Sequence, residues 1–431
     1  MSASPTVRPQ ELVRSDRVHR RVYLDPEIFA REMEEIFGHA WVFVGHDSQI
    51  PNAGDFITTS IGAQPVVMAR HGDGKVHVLF NRCGHRGALV VAEASGRVKQ
   101  FRCGYHGWSF HTDGSLAGIP LADGYGSAID LDDPSFGMIE VPRTATYHGF
   151  VFASLAADGP SLREYLGEAT IGIDDLIDRA PDGEIELVGG VHKYYYRGNW
   201  KLQTENVCDQ YHPPFGHASS LASDGRQFNR RAGDDNGRPV FFGDAGMIDV
   251  YVAGVWSYPS GHSSVGSMRF AAEPDGPVFR KYRAKLVARH GEMRTREILA
   301  PKHHNMFLYP NLVVQQVSQH LRVIRPVAVD LTEVSVYAVK LKGAPDEMHT
   351  EVIRYLNITH AAASLIQTDD LETFERCQRG LATQGTDWVL FARGAEEDRV
   401  ARSGTITGPV ASEAPMRGQF KTWLSYMTDL A

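Results

Sequence analysis

The chain has 431 residues, 42% of them hydrophobic, and a formal net charge of -8. That length supplies a large core and suggests two or three domains, while the acidic balance speaks against a nucleic-acid binder, which shows a basic excess. No apolar run approaches the roughly 20 residues of a membrane span, and four cysteines (Cys83, Cys103, Cys208, Cys377) are too few for a disulfide scaffold in a chain this long.

Met1 to Arg21 is polar, carries arginines at 8, 14, 17, 20 and 21, and lacks an apolar h-region. It does not read as a signal peptide, so a cytoplasmic location is expected. Its first dozen residues read as a loose tail. Leu24 to Phe37 reads as an amphipathic helix, with Asp25 as N-cap and Pro26 at the first helical position; Ile28, Phe29, Met33, Ile36 and Phe37 share one face.

Short β-rich runs follow at Trp41–Val44, Phe56–Thr59, Val66–Ala69, Val76–Phe80, Val98–Arg102, Trp108–His111 and Gly149–Ser154. Pro51-Asn52-Ala53-Gly54, His71-Gly72-Asp73-Gly74 and Thr112-Asp113-Gly114 break them as turns. From about Ser161 the pattern turns mixed. Leu162–Tyr165 and Ile171–Asp178 read as helices and Ile185–Tyr196 as a strand. Trp200–Tyr211 is helix-compatible, and Leu312–Val317, Leu321–Val327 and Val334–Leu341 read as strands of one antiparallel sheet. Pro345–Ile366, Asp369–Arg379 and the closing Pro415–Leu430 read as helices, the last with Phe420, Trp423, Leu424 and Met427 on one face.

Two patches carry chemistry. The first is Cys83-Gly84-His85, then seventeen residues, then Cys103-Gly104-Tyr105-His106. Each half pairs one thiolate with one imidazole. That mixture suits a Rieske [2Fe-2S] cluster, in which two cysteines hold one iron and two histidines the other. Structural zinc, the bland alternative, favours C-x2-4-C and H-x3-5-H pairs, which do not occur here. Arg82, Arg86, Arg97, Lys99 and Arg102 around these loops read either as a basic face for an acidic electron donor or as an ordinary solvated charge set.

The second patch runs Glu205-Asn206-Val207-Cys208-Asp209-Gln210-Tyr211-His212, with His217 five positions on. Pro213 and Pro214 break a helix there, so the five-residue step can bring both imidazoles together across a kink. Two imidazoles and a carboxylate with open positions make the facial triad of non-haem Fe(II) oxygenases. Spacing alone leaves the carboxylate open among Asp209, Glu205 and the distant pair Asp369-Asp370.

These residues resemble a known family, the large (α) subunits of Rieske non-haem iron aromatic-ring-hydroxylating oxygenases. The matching pieces are Asn81 to Gly87, Cys103 to Trp108, Gly198-Asn199-Trp200-Lys201, Glu205-Asn206 through His217, and Gln367-Thr368-Asp369-Asp370. Asp370-Leu371-Glu372, Phe374, Cys377-Gln378 and the tail Glu413 to Gly418 are most similar to the benzoate and anthranilate branch.

The resemblance implies an α+β protein with three parts. An N-terminal tail and helix (1–40) precedes an all-β Rieske domain (41–158). A catalytic domain (159–431) follows, with an antiparallel sheet covered by helices (helix-grip, START-like). It implies Cys83, His85, Cys103 and His106 as cluster ligands and His212, His217 and Asp370 as ligands of a mononuclear Fe(II). Asp209 then bridges His212 to His106 of a neighbouring subunit. The implied reaction is cis-dihydroxylation of an aromatic, a benzoate-type carboxylate in this branch, with ring or side-chain monohydroxylation as the close variant. The implied partners are O2, electrons from NAD(P)H through a reductase with or without a ferredoxin, and a homotrimer or α3β3 assembly with a small β subunit. No nucleic acid and no membrane enters.

A Rieske electron carrier without oxygenase activity and a zinc-stabilised binding module are the rival readings; iron content and colour separate them. Gln203, Val207, Phe215, Val313, Gln315 and Ile366 are candidate pocket walls. Arg322, Arg325 and Arg283 are candidate anchors for a substrate carboxylate. His303, His304, His320 and His360 read as surface or hydrogen-bonded core residues, His111 as structural, and Cys208 and Cys377 as buried thiols.

Overall fold

A computed structural model of the chain describes residues 8–126, 130, 133–217, 254–266, 276–300 and 303–429. Two compact units emerge, Phe37–Leu162 and a second unit made of Met1–Ile36 with Arg163–Ala431.

Among its described residues the Phe37–Leu162 unit is all β apart from short 3-10 turns. Its four-stranded antiparallel sheet is ordered Val76–Phe80, Gln64–Arg70, Asp55–Ile61, Ser95–Arg97. Val66 to Ala69 in an inner strand are all buried, as a strand covered on both faces demands. A three-stranded sheet joins Val42–His46, Phe150–Ser154 and Arg143–Tyr147; another joins Phe101–Arg102, Ser109–Phe110 and Leu116–Gly118. The expected Val98–Arg102 strand thus divides into Ser95–Arg97 and Phe101–Arg102, two pieces in different sheets. Phe56, Phe101, Trp108 and Phe110 form the core, and Cys83 and Cys103 lie buried against it.

The second unit is organised by a nine-stranded antiparallel sheet. Its order is Ile185–Tyr196, Leu331–Leu341, His320–Ala328, Leu312–Gln315, His303–Leu308, Ser263–Gly266, Val255–Ser257, Ile406–Gly408, Arg399–Val400. The edge strand Ile185–Tyr196 contains a wide bulge: the register passes from Leu187 opposite Val339 to Val191 opposite Tyr337. Gly189 and Gly190, both at φ +94°, supply the left-handed backbone the bulge requires.

The helix Pro26–Glu35 starts as its sequence predicts, with the Asp25 carboxylate accepting the Glu27 N–H. Three expectations change. Pro9–Leu12 forms a helical turn with Pro9 and Leu12 buried, so this part of the tail is tied down; Met1 to Val7 lie outside the described residues. The helix from Trp200 ends at Val207, not Tyr211. The Asp209 carboxylate accepts the Tyr211 N–H at 2.7 Å, a turn that competes with helical hydrogen bonding. The long helix runs only from Asp346 to Thr359, and a second begins at Gln367, whose N–H is accepted by the Ser364 hydroxyl at 3.1 Å. The Ala414–Asp429 helix buries Phe420, Trp423 and Met427. No helix among the described residues is long and apolar enough to cross a membrane.

Candidate metal centres

In the first unit, two loops close in the same way. The Cys83 N–H donates to Ala88 O at 2.8 Å and the Gly87 N–H to Cys83 O at 3.0 Å. The Cys103 N–H donates to Trp108 O at 2.8 Å and the Gly107 N–H to Cys103 O at 3.0 Å. Gly87 and Gly107 adopt φ of +74° and +75°, which a side chain would strain. The common C-x3-G spacing is therefore a backbone requirement, although the histidine sits two places after one cysteine and three after the other.

The side chains converge. Cys83 and Cys103 are buried and unbridged, and the His85 and His106 rings lie 4.5 Å apart between centroids. His85 stacks on buried Trp108 at 5.2 Å with 4° between planes, and its Nδ1 is buried without a hydrogen-bond partner. Burial, ahead of the neighbouring Cys103 thiol, raises the Cys83 pKa. Two thiols, an orphaned imidazole nitrogen and a second imidazole are the donor set a [2Fe-2S] Rieske cluster takes. His106 and Tyr105 are exposed, so this end of the unit opens to solvent. Of the surrounding cations, Arg97 is already paired with Asp55, while Arg82, Arg86, Lys99 and Arg102 are exposed.

The second constellation is held by a short helix, Trp200–Val207. The Asn199 side chain caps it, accepting the Lys201 N–H and donating to Val329 O at 2.9 Å. Buried Glu32 accepts from Trp200 Nε1, Lys201 Nζ and Trp423 Nε1 at 2.8, 2.6 and 2.6 Å. One carboxylate thus ties three helices together, and removing a partner from such a buried pair costs about 3–5 kcal/mol. The sequence quotes Asn199-Trp200-Lys201 without disclosing this role; the distant Glu32 leaves no local signal.

Beyond the helix, Pro213 and Pro214 start a one-turn helix, Pro213–Gly216, rather than only ending one. His212 and His217 stand at its two ends. Their rings lie 5.3 Å apart between centroids. Asp370 Oδ1 is 3.7 Å from His212 Nε2 and 3.5 Å from His217 Nε2. Donor atoms of these three residues all lie within 4.8 Å of one another. Each imidazole has a second carboxylate on its other nitrogen: Asp209 Oδ2 is 3.4 Å from His212 Nδ1, and Asp369 Oδ2 is 3.4 Å from His217 Nδ1. Carboxylates so placed fix ring orientation and tautomer in metal sites.

Burial opposes the imidazolium of His212, yet Asp209 and Asp370 outweigh it and hold its pKa above the usual value. Burial likewise opposes the Asp209 carboxylate, but His212 and the backbone N–H groups of Tyr211 and His212 prevail and hold its pKa low. Asn206 Nδ2 approaches His212 Nε2 and Asp370 Oδ1, both at 3.1 Å, a placement the sequence reading missed. Glu205, open as a ligand on spacing, instead accepts the Tyr23 hydroxyl at 2.8 Å, and burial pushes its pKa up to about 8.

A cavity of about 100 Å³ opens on this triad. Val207, Gln315 and Ile366 line it as expected; Gln203 and Val313 are buried but are not among its lining residues, and Phe215 is exposed. His304 and His360, read from sequence as surface or core residues, are buried and line it too. Burial, with Arg322 adding to it, lowers the His304 pKa to about 4. His303 and His320 are buried and bonded to Ser264 and Ser318. Cys208 is buried, with burial pushing its thiol up to about 12; Cys377, expected to be buried, is exposed on the outer face of its helix.

Comparison with known proteins decides the family. The Rieske [2Fe-2S] domain family matches residues 40–132, and the ring hydroxylating alpha subunit catalytic domain family matches residues 185–429. The chain belongs to the large (α) subunits of ring-hydroxylating oxygenases. It is 35% identical over 386 residues to the toluate 1,2-dioxygenase subunit alpha of Pseudomonas putida, covering 88% of this chain and 82% of that one. It is 35% identical over 386 residues to the anthranilate 1,2-dioxygenase large subunit of Acinetobacter baylyi, covering 88% and 80%. A solved naphthalene 1,2-dioxygenase with indole bound in the active site superposes with a TM-score of 0.82 at 26% identity, covering 96% of this chain and 93% of that one. This oxygenase subunit is therefore an enzyme whose cofactors are a Rieske [2Fe-2S] cluster and a mononuclear iron.

Proposed function

We propose that this chain cis-dihydroxylates a single-ring aromatic carboxylate, using O2 and electrons from NAD(P)H relayed by a reductase, with or without a ferredoxin. The observation that carries the reading is the trio His212, His217 and Asp370, with both imidazoles backed by carboxylates and all three facing a cavity. The named activities of the toluate and anthranilate relatives support the substrate class.

In this reading Cys83, His85, Cys103 and His106 hold the cluster, and His212, His217 and Asp370 hold the iron. The cluster supplies single electrons and the iron activates O2. The protein's own part is positional. Asp369 accepts from the Nδ1–H of His217, and the Asp209 carboxylate stands 3.4 Å from His212 Nδ1, which leaves each Nε2 lone pair as a donor. Three protein donors leave coordination positions open. Asp209 also reaches His106 of a neighbouring subunit, which makes a homotrimer or α3β3 assembly the working unit and the subunit boundary the electron path. The enzyme works in the cytoplasm.

The test is a product screen. The holoenzyme, with its donor, is supplied with benzoate, 2-aminobenzoate, 3-methylbenzoate and naphthalene while O2 uptake and diol are both measured. Diol from a benzoate, matched to O2 uptake, is the expected result. Diol from naphthalene alone would overturn the substrate class; iron near two per chain and no diol would overturn the oxygenase assignment.

A further inference from the structure

Three arginines compete as anchors for a substrate anion, and the structure separates them. Arg325 makes a two-pronged pair with Glu333, at 3.0 and 2.8 Å. Arg283 is paired with Glu292. Arg322 is 5% exposed, lines the cavity that opens on His212, His217 and Asp370, and has its Nε buried without an acceptor. Among the described residues no carboxylate pairs with it.

Strand register explains its position. Val313, Arg322 and Val336 oppose one another across three strands. Asn305, Gln315 and His320 form the adjacent row. Directly opposed residues share a face of a sheet, so Arg322 stands beside a row of amide and imidazole side chains. Asn305 Nδ2 is held by Val207 O at 3.0 Å. None of these neighbours carries negative charge. Burial keeps His304, His320 and His360 neutral, and each also feels the Arg322 charge.

A guanidinium taken out of water without a counter-ion is costly, and a removed partner leaves that cost behind. A purely aromatic hydrocarbon would leave it unmet. We infer that Arg322 binds the carboxylate of the substrate and so sets which edge of the ring faces the triad; this rests on the arene-carboxylate reading above. The guanidinium fork matches a carboxylate with two parallel hydrogen bonds, which a lysine does not reproduce.

The experiment compares benzoate with benzamide, which keeps the shape and removes the charge. Affinities of the oxidised holoenzyme are measured by titration calorimetry, and KM by diol formation. Arg322→Gln should weaken benzoate by about thirtyfold or more and benzamide by less than about threefold, with Arg322→Lys between. Iron and cluster content should stay at wild-type values. Equal losses for the two ligands, or unchanged benzoate affinity, would overturn the inference while wild-type turnover of benzoate kept the substrate class intact. If Arg322→Gln does not fold, wild type alone decides: a benzoate-to-benzamide affinity ratio near one overturns it, and a ratio above about ten supports it. Wild type that neither binds nor oxidises benzoate would defeat the substrate class itself.

Discussion

In the Phe37–Leu162 unit, candidate donors come from two loops closed by matching backbone hydrogen bonds. In the catalytic unit they come from a one-turn helix and from the start of another helix, where Asp369 and His217 meet 152 positions apart. The first arrangement is held by main chain and by two left-handed glycines. The second is held by side chains: Asp209 and Asp369 behind the imidazoles, Asn199 and Glu32 behind the helix that precedes them. Local loops make a site that survives changes at a distance, whereas an assembled site inherits every weakness of the elements that meet there.

That contrast breaks most sharply at Asp370. Asp370→Ala should remove the mononuclear iron and leave the cluster colour, so that iron falls from about three to about two per chain. Turnover should drop by on the order of a thousandfold or more, about 4 kcal/mol of barrier. Iron analysis beside the visible spectrum checks it. Loss of colour together with iron would show that the two regions do not fail independently. Asp209→Asn comes next. It keeps shape and loses charge, so both metals should remain while steady-state turnover falls about a hundredfold. Wild-type turnover with the normal donor would exclude Asp209 from the proposed electron path.

The same contrast governs what the sequence could disclose. The candidate cluster loops are legible because the spacing of the Cys and His donors and that of the glycines sit within six residues of each other. Strand Ile185–Tyr196 is legible despite its Gly189-Gly190 bulge because the flanking apolar and aromatic residues dominate. The triad is only half legible: His212 and His217 are neighbours, but no periodicity picks out Asp370, and only the family resemblance points there. The end of the first helix at Thr359 was hidden by Ala361-Ala362-Ala363, strong helix formers, and the second start is marked only by the Ser364 hydroxyl, which accepts the Gln367 N–H. Glu32 beneath Trp200 and Lys201, and Arg322 without a counter-ion among the described residues, are facts of packing that no local pattern carries.

Asp369→Asn sharpens the comparison at a gentler level. Asp369 does not join the triad but faces His217 Nδ1 at 3.4 Å. The variant should bind iron about ten- to thirtyfold more weakly, within the range for such partner carboxylates. Activity should return when Fe(II) is supplied in excess, with the cluster untouched throughout. An iron affinity equal to wild type would leave His217 oriented by its other contacts alone.

The smallest effect is thermodynamic and belongs to Glu205. Burial is the main cause that lifts its pKa from 4.5 to about 8, against the opposing Tyr23 hydroxyl and Lys201. A carboxyl whose folded pKa is raised binds more protons folded than unfolded between about pH 4.5 and 8. Folding stability from this group is therefore fully present below about pH 4.5, declines as pH rises, and is lost above about 8. Since Glu205 keeps some solvent contact, the slope should amount to about 1–3 kcal/mol over that window. Glu205→Gln keeps an acceptor for Tyr23 and removes the titration. Denaturant midpoints of the two proteins at pH 5.5 and 8.5 should then converge at low pH and separate at high pH, the variant being the more stable. A wild-type slope unchanged by the substitution would mean that Glu205 is ionised in the folded chain, and that Tyr23 and Lys201 together overcome its burial.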